Sequence, residues 1–254
     1  MKVVILCGGR GLRMGELTED APKPLVEINH RPMLWHIMKI YEAYGFHEFI
    51  LLLGYKGEKI KEYFMDYAWK NQSFTLDTAT GQVELLGKTD DWKITFLDTG
   101  MDTMTGARLK MAQPYIGNET FMATYGDGLA DINLDKLLCY HREKGRIATV
   151  TGVRKRSQYG ILTVCDGIAS AFEEKMRSDT IINGGFFVLE PSVFNYIDQD
   201  TQCVFEHKPM SELAADGQLA VYSHDGFWYA CDTACDIARM NQLCREGKDS
   251  WRVW

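Results

Sequence analysis

The chain has 254 residues, of which 46% are hydrophobic and 25% are charged, a composition that is typical of a globular protein and excludes a disordered or fibrous chain. With 28 Lys and Arg against 35 Asp and Glu, the formal charge of -7 is unsuited to binding the backbone of a nucleic acid polymer. A few local cations are nevertheless enough to bind one nucleotide within an acidic protein.

The cysteines and the N-terminal segment indicate where the protein functions. The chain contains 7 cysteines, an odd number scattered along its length, so we expect buried thiols and no disulfide framework or zinc site. The apolar run Val3–Cys7 is too short for a signal peptide or a membrane span. We therefore predict a cytoplasmic protein with no membrane partner.

The first part of the chain alternates apolar β runs with helical periodicity. Val3–Leu6 predicts a buried strand that ends at a glycine loop, and the apolar positions between Pro32 and Gly45 predict a helix. Further strands are predicted at Phe49–Leu53, Ile94–Leu97, Phe121–Tyr125 and Ile147–Val153, and further helices at Ile60–Tyr67 and Asn133–Gly145.

Beyond about residue 155 the pattern changes to short strands at Ile161–Val164, Phe186–Leu189 and Ala220–Tyr222, with a closing helix over Asp232–Cys244. The whole pattern predicts an α/β fold. Its core is a Rossmann-like, mostly parallel mixed sheet with helices on both faces, and a small additional β region lies in the C-terminal half. No repeat or linker divides the chain, so we expect a single domain of residues 1–254.

Ligands of such sheets bind at the carboxyl ends of the parallel strands, which here are the segments Gly8–Arg13 and Gly126–Gly128. The first segment matches neither a dinucleotide fingerprint, because Met14 stands at the third glycine position, nor a P-loop. Its glycines and Arg13 suit an anion, although a flexible surface loop is the alternative. Prolines on both sides of Lys23 predict that its ammonium group is held in place.

Longer strings of residues resemble one known family. The loop Gly8–Met14 and the segment Pro22–Pro24 are similar to the signature of the sugar-1-phosphate nucleotidyltransferases. The resemblance continues through Leu34–Lys39, Gly54–Gly57, Asp98–Gly100, Met104–Gly106, Tyr125–Gly128, Asn183–Leu189 and Gly226–Trp228. Within the family, these strings and the C-terminal Trp251–Trp254 are similar to the glucose-1-phosphate cytidylyltransferases.

This resemblance implies a Mg²⁺-dependent enzyme that transfers CMP from CTP to a phosphorylated small molecule, by default glucose 1-phosphate, with release of pyrophosphate. It also implies a homo-oligomer. Residues 1–154 then form the nucleotide-binding half and residues 155–254 the half that binds the acceptor substrate.

The resemblance further implies a role for individual residues. Arg13 and Lys23 are expected to be catalytic and to stabilise the transition state. The residues expected to bind the nucleotide are Cys7, Gly8, Gly9, Gly11, Arg13, Lys23, Arg108, Gly126 and Asp127. Those expected to bind the acceptor substrate are Gly160, Glu174, Lys175, Asn183, Gly184 and Tyr229, and the expected Mg²⁺ ligands are Asp127 and Asp232.

Each of these residues also has a simpler interpretation. Asp232 is placed to cap the closing helix, Asp127 to form a turn, and Arg108 to lie on the surface. The pair Glu174–Lys175 is equally well explained as two solvated charges.

Several positions depart from the family pattern. Leu12 stands where the family usually has Thr, and the other departures are grouped near the expected acceptor substrate, at Gln158, Met176, Tyr229, Ala230 and Cys231. This grouping leaves three hypotheses open. The first is transfer to glucose 1-phosphate, the second is the same chemistry on another sugar phosphate or on a non-sugar phosphate, and the third is a nucleotide-sugar-binding module without turnover.

Overall fold

The computed structural model describes residues 1–156, 161–165, 167–173 and 177–254. Its strands are β1 (Lys2–Cys7), β2 (Glu27–Ile28), β3 (Arg31–Pro32), β4 (Glu48–Leu53), β5 (Phe74–Leu76), β6 (Val83–Leu85), β7 (Lys93–Asp98), β8 (Phe121–Tyr125), β9 (Gly128–Ala130), β10 (Ala148–Arg156), β11 (Ile161–Cys165), β12 (Ile168–Glu173), β13 (Arg177–Asn183), β14 (Phe187–Leu189), β15 (Leu219–His224) and β16 (Trp228–Ala230).

The α-helices are α1 (Met33–Glu42), α2 (Gly57–Met65), α3 (Tyr67–Asn71), α4 (Thr105–Met111), α5 (Gln113–Ile116), α6 (Leu134–Lys144), α7 (Lys208–Ala215) and α8 (Ala234–Arg245). Short 3₁₀ helices span Leu12–Thr18, Lys23–Leu25 and Pro191–Tyr196. Within the described ranges, no helix is both long and apolar enough to cross a membrane.

The central sheet has the strand order β13-β10-β14-β8-β1-β4-β7, and β15 also pairs with β10. Strands β8, β1, β4 and β7 run parallel, as do β10 and β15, whereas β14 and β13 pair antiparallel with their neighbours. The pairs β11–β12 and β16–β9 lie outside this sheet. The predicted mostly parallel mixed sheet and the additional β region in the C-terminal half are both confirmed.

Helices cover both faces of the sheet because side chains of a strand alternate between the faces. In β1, Val3 and Ile5 pack into one core with α1, α6 and α8. Val4 faces the other core, which includes apolar side chains of α4, α5 and α7. The sheet is therefore buried on both faces, and its strand ends are left to carry a site.

Three predicted elements differ from the structure. The helix predicted over Ile60–Tyr67 is divided into α2 and α3, and the Tyr67 hydroxyl accepts a hydrogen bond from Trp35 Nε1 at 2.7 Å and donates to Asp90. These tertiary contacts override the helical periodicity. The strand predicted from Phe186 begins one residue later, because Phe186 has a positive φ of 47°. The closing helix begins at Ala234 and not at the predicted Asp232.

The C-terminal segment packs on helix α1 and on the segment that leads to β16. Trp251 is fully buried, its Nε1 donates to His36 Nδ1 at 3.4 Å, and its ring lies 5.4 Å from that of Phe227. His36 Nε2 then donates to the carbonyl oxygen of Ile28 at 2.8 Å. Burial lowers the pKa of His36 to about 4, so the imidazole is neutral in the folded protein.

This buried histidine predicts a loss of stability in acid. The unfolded chain takes up a proton near pH 6.5 and the folded chain only near pH 4, so the free energy of unfolding decreases as the pH falls between these values. The share due to His36 is about 1.4 kcal/mol per pH unit, and we expect His36→Gln to remove it. Urea unfolding between pH 7 and pH 4.5 measures the slope. The matched control is His207→Gln, at an exposed histidine, and equal slopes in all three proteins would contradict the prediction.

Candidate active site

The carboxyl ends of the parallel strands β8, β1, β4 and β7 lie at one edge of the sheet, where the segments after β1, β7 and β8 line a cleft of about 440 Å³. Strand β1 leads into the glycine loop, β8 into Gly126 and Asp127, and β7 into Thr99. The predicted residues that line the cleft are Cys7, Gly8, Gly9, Lys23, Arg108, Gly126 and Asp127. The structure thus brings together most of the residues that were expected to bind the nucleotide.

Arg108 lies beneath the glycine loop and only 5% of it is exposed, so its interpretation as a surface residue is wrong. Its guanidinium group donates to the carbonyl oxygens of Leu53, Gly8 and Met101 and to the Thr99 hydroxyl. Burial lowers the pKa of Arg108, since none of these oxygens carries a charge. The buried guanidinium therefore fixes the loops that follow β1, β4 and β7 against one another.

Two of the glycines are required by this arrangement. A Cβ atom on Gly8 would lie 2.2 Å from the Arg108 guanidinium, and one on Gly54 would lie 2.6 Å from it. Gly11 has a positive φ of 64°, which places the next turn, a 3₁₀ helix, beside Lys23. Gly8 and Gly11 are thus closely packed, whereas Gly9, Arg10, Leu12 and Arg13 of the same loop are exposed. Leu12, the departure from the family pattern, is 81% exposed.

Lys23 lies between the two carboxylates that were expected to bind metal. Its Nζ is 2.6 Å from Asp127 Oδ2 and 2.8 Å from Asp232 Oδ1, and Arg13 Nη2 is 2.9 Å from the same oxygen of Asp232. Lys23 is only 9% exposed. Burial by itself would lower its pKa, but Asp127 and Asp232 together raise it, so the ammonium stays charged. Residues 209 positions apart in sequence thus share one ion-paired cluster.

Asp232 is not the cap of the closing helix. Thr233 is the N-cap, its hydroxyl accepts from the backbone N–H of Asp236, and the Asp236 carboxylate accepts from the backbone N–H groups of Thr233 and Asp232. Tyr229 also donates its hydroxyl to Asp236, at 2.9 Å. Because Thr233 and Asp236 together form the capping box, the Asp232 side chain is not needed as a cap and instead accepts from Lys23.

The residues expected to bind the acceptor substrate are only partly described. Asn183 and Gly184 end strand β13 close to the cleft, where Asn183 Nδ2 donates to the Tyr125 hydroxyl and Trp228 Nε1 donates to the Gly184 oxygen. The Tyr229 hydroxyl is held by Asp236, and burial raises its pKa to about 12. Gly160, Glu174 and Lys175, with the departures at positions 158 and 176, lie outside the described residues.

Several residues of the site were not found by sequence reasoning. Arg10 forms an ion pair with Asp102 at 2.7 Å, and Glu206 accepts hydrogen bonds from Tyr125 and Thr105. Asp236 had a local signal, since Thr followed three positions later by an acidic residue is the spacing of a capping box. The other contacts join residues about 80 to 100 positions apart and have no local pattern.

Packing over Arg108 predicts different effects at two adjacent glycines. Gly8→Ala should decrease the free energy of unfolding by about 1–3 kcal/mol, because its Cβ would force the guanidinium out of place. Gly9→Ala is the matched control. It has no atom within 4 Å of the added Cβ and should change stability by less than about 0.5 kcal/mol. Urea unfolding of both variants checks the difference, and equal losses would refute the role given to Gly8.

Comparison with known proteins gives one consistent family. The family described as Nucleotidyl transferase matches residues 2–243. The chain is 59% identical over 254 residues to the probable glucose-1-phosphate cytidylyltransferase of Bacillus subtilis, with 100% of both chains covered. It is 42% identical over 257 residues to the glucose-1-phosphate cytidylyltransferase of Salmonella typhimurium, again with 100% of both covered.

Solved structures share the fold at much lower identity. A putative glucose-1-phosphate thymidylyltransferase from Bacillus anthracis has a TM-score of 0.70 at 16% identity, and the match covers 97% of this chain and 96% of that one. The family match and the full-length relatives agree with each other, and the solved structure shares the fold. The chain belongs to the nucleotidyl transferase family.

Proposed function

We propose that this protein is a Mg²⁺-dependent cytidylyltransferase that transfers CMP from CTP to glucose 1-phosphate, giving CDP-glucose and pyrophosphate. The observation that carries the proposal is the buried ammonium of Lys23, which two carboxylates hold beside the glycine loop. Similarity along the whole chain to two glucose-1-phosphate cytidylyltransferases supports the choice of substrates.

The reaction brings two anions together, so the protein must neutralise charge and hold the reactants in line. A phosphate oxygen of the sugar phosphate attacks the α-phosphorus of CTP, and pyrophosphate leaves. Gly8, Gly9 and Arg10 of the glycine loop line the cleft, and backbone N–H groups of such a loop can bind phosphate oxygens. Arg13 and Lys23 are the cations that stabilise the charge developing on the leaving pyrophosphate. No covalent nucleophile is needed.

The paired carboxylates fit the proposed metal. Asp127 and Asp232 both form an ion pair with the Lys23 ammonium, so their carboxylate oxygens lie close together. One or two carboxylates are the protein ligands that Mg²⁺ combines with phosphate oxygens and water. When bound, Mg²⁺ would neutralise charge on the phosphates. Lys23 is paired with both carboxylates, so a metal held by Asp127 and Asp232 would compete with its ammonium for their oxygens.

The sugar phosphate is assigned to the other side of the cleft. We assign Asn183 and Gly184 to its hydroxyls, and Glu174, Lys175 and Gly160 keep the roles that the family resemblance implies. We assign Tyr229 to the same side of the cleft, although its hydroxyl already donates a hydrogen bond to Asp236. The cytoplasmic location and the homo-oligomer also stay predictions from the sequence.

The second hypothesis, a changed acceptor substrate, depends on departures at Gln158 and Met176, outside the described residues, and at Tyr229, Ala230 and Cys231 in or next to β16. Of the last three, Cys231 is fully buried and the Tyr229 hydroxyl donates to Asp236. Packing thus gives Cys231 and Tyr229 a role without a new substrate. This favours glucose 1-phosphate. Retention of Arg13, Lys23, Asp127 and Asp232 favours turnover over a binding module.

The proposal is tested by measuring pyrophosphate release with CTP, UTP and dTTP against a panel of sugar phosphates and non-sugar phosphates. We expect CTP with glucose 1-phosphate to give a kcat/KM of about 10⁴ M⁻¹s⁻¹ or more, the usual lower range for enzymes, and the other nucleotides to be clearly poorer. A clear preference for another phosphorylated compound would mean that glucose 1-phosphate is not the acceptor substrate. Nucleotide binding without release would instead identify a binding module.

The metal assignment predicts the effect of two substitutions. Asp127→Asn and Asp232→Asn should each decrease kcat by at least about two orders of magnitude, because each removes charge from the metal site. They should also weaken Mn²⁺ binding in the presence of CTP, measured by electron paramagnetic resonance. Asp198→Asn is the matched control, since Asp198 forms an ion pair with Lys208 at 2.9 Å away from the cleft. If either variant binds Mn²⁺ with the wild-type affinity, the substituted residue is not a metal ligand.

A further inference from the structure

One carboxylate outside the cleft lining connects the two sides of the site. Glu206 precedes helix α7 and is partly buried. Its Oε1 accepts from the Tyr125 hydroxyl at 2.6 Å, and its Oε2 accepts from the Thr105 hydroxyl at 2.6 Å. Tyr125 and Thr105 both line the cleft. The two oxygens of Glu206 thus hold side chains from the end of β8 and the start of α4.

The ring of Tyr125 is fixed by packing, which leaves only its hydroxyl to be oriented. The ring lies 5.8 Å from that of Phe187 in an edge-to-face arrangement. It also packs against Gly185, where an added Cβ would be only 3.0 Å from a ring carbon. The hydroxyl donates its single hydrogen to the Glu206 carboxylate.

Two hydrogen bonds, one to Tyr125 and one from the backbone of Gly185, orient the side-chain amide of Asn183. A tyrosine hydroxyl has one hydrogen, and because that hydrogen is given to Glu206, only its lone pairs face Asn183. Asn183 Nδ2 accordingly donates to the Tyr125 oxygen at 2.9 Å, and Asn183 Oδ1 accepts from the backbone N–H of Gly185 at 2.8 Å. Asn183 Nδ2 carries two hydrogens, and the bond to Tyr125 uses one of them.

We infer that Glu206 is a positioning residue for the sugar phosphate, acting through Tyr125 to present an N–H of Asn183 to a substrate oxygen. The inference rests on the proposed function, which assigns Asn183 to that substrate. Without the carboxylate, the Tyr125 hydroxyl loses the acceptor that fixes its hydrogen, so the oxygen that accepts from Asn183 Nδ2 is no longer held in place. The Asn183 amide is then held only by its bond to the Gly185 N–H.

The CTP side should be less affected by the same change. The Thr105 hydroxyl also accepts from the backbone N–H of Phe205 at 2.9 Å, and the Ala107 N–H donates to the Cys203 oxygen at 3.1 Å. These bonds keep the start of α4 in place when Glu206 is truncated. We therefore expect the loss of affinity to be confined to the sugar phosphate. General destabilisation of the site would weaken binding of both substrates.

The test compares KM values for the two substrates in Glu206→Ala, Glu206→Gln and Tyr125→Phe. We expect Glu206→Ala to raise the KM for glucose 1-phosphate about fivefold to tenfold, the value of one hydrogen bond, with less than a twofold change for CTP. Glu206→Gln should restore the wild-type KM, because its amide oxygen accepts from Tyr125 and its amide nitrogen donates to Thr105. Tyr125→Phe should match Glu206→Ala, and the double variant should show no further rise.

Asp216→Ala is the matched control, since Asp216 accepts from the Tyr196 hydroxyl at 2.9 Å away from the cleft lining and should leave both KM values unchanged. Equal rises for both substrates, additive effects in the double variant, or an unchanged KM in Glu206→Ala would each overturn the inference. If Glu206→Ala does not fold, as judged by thermal unfolding, Tyr125→Phe against Glu206→Gln decides the same question. Absence of wild-type turnover with glucose 1-phosphate would overturn the proposed function instead.

Discussion

The ammonium of Lys23 is buried between Asp127 and Asp232, and this shared ion pair is the constraint on which the site depends. A lysine charge that is only 9% exposed is stable because two carboxylates lie within 2.8 Å of it. The three residues come from the segment after the glycine loop, from the end of β8 and from the segment before α8. The ion pair therefore requires the N-terminal and C-terminal segments to meet at one edge of the sheet.

A second buried cation supports the first. The guanidinium of Arg108 has no charged partner in its hydrogen bonds and is held by oxygens of the loops after β1, β4 and β7. It stiffens the cleft from below, while Gly8 and Gly54 allow the backbone to pass close above it. Arg108 and Lys23 thus bring two cations to a cleft that Asp102 and Asp127 also line, in a protein whose net charge is negative. Cations placed in this way can bind phosphate within an acidic protein.

Much of this arrangement is predictable from sequence because it depends on local patterns. The β1 strand and the glycine loop after it are correctly predicted, because a short apolar run before glycines is typical of a buried strand that ends in a loop. Asn133 is correctly predicted as a helix cap, and its side chain accepts from the Lys136 N–H. The division of α2 from α3 is missed, because hydrogen bonds of Tyr67 with Trp35 and Asp90 are set by packing and not by periodicity.

The sequence by itself determined the alternation of strands and helices, the edge of the sheet that carries the site, and the residue types that suit phosphates. These follow from side-chain periodicity and backbone freedom, which act over a few residues. Only the tertiary structure decided that Asp232 faces Lys23 while Thr233 caps the helix, that Arg108 is buried, and that Glu206 orients Tyr125. Each of these depends on which distant side chains share one small volume, and hydrogen-bond geometry and desolvation settle that competition only after the chain has folded.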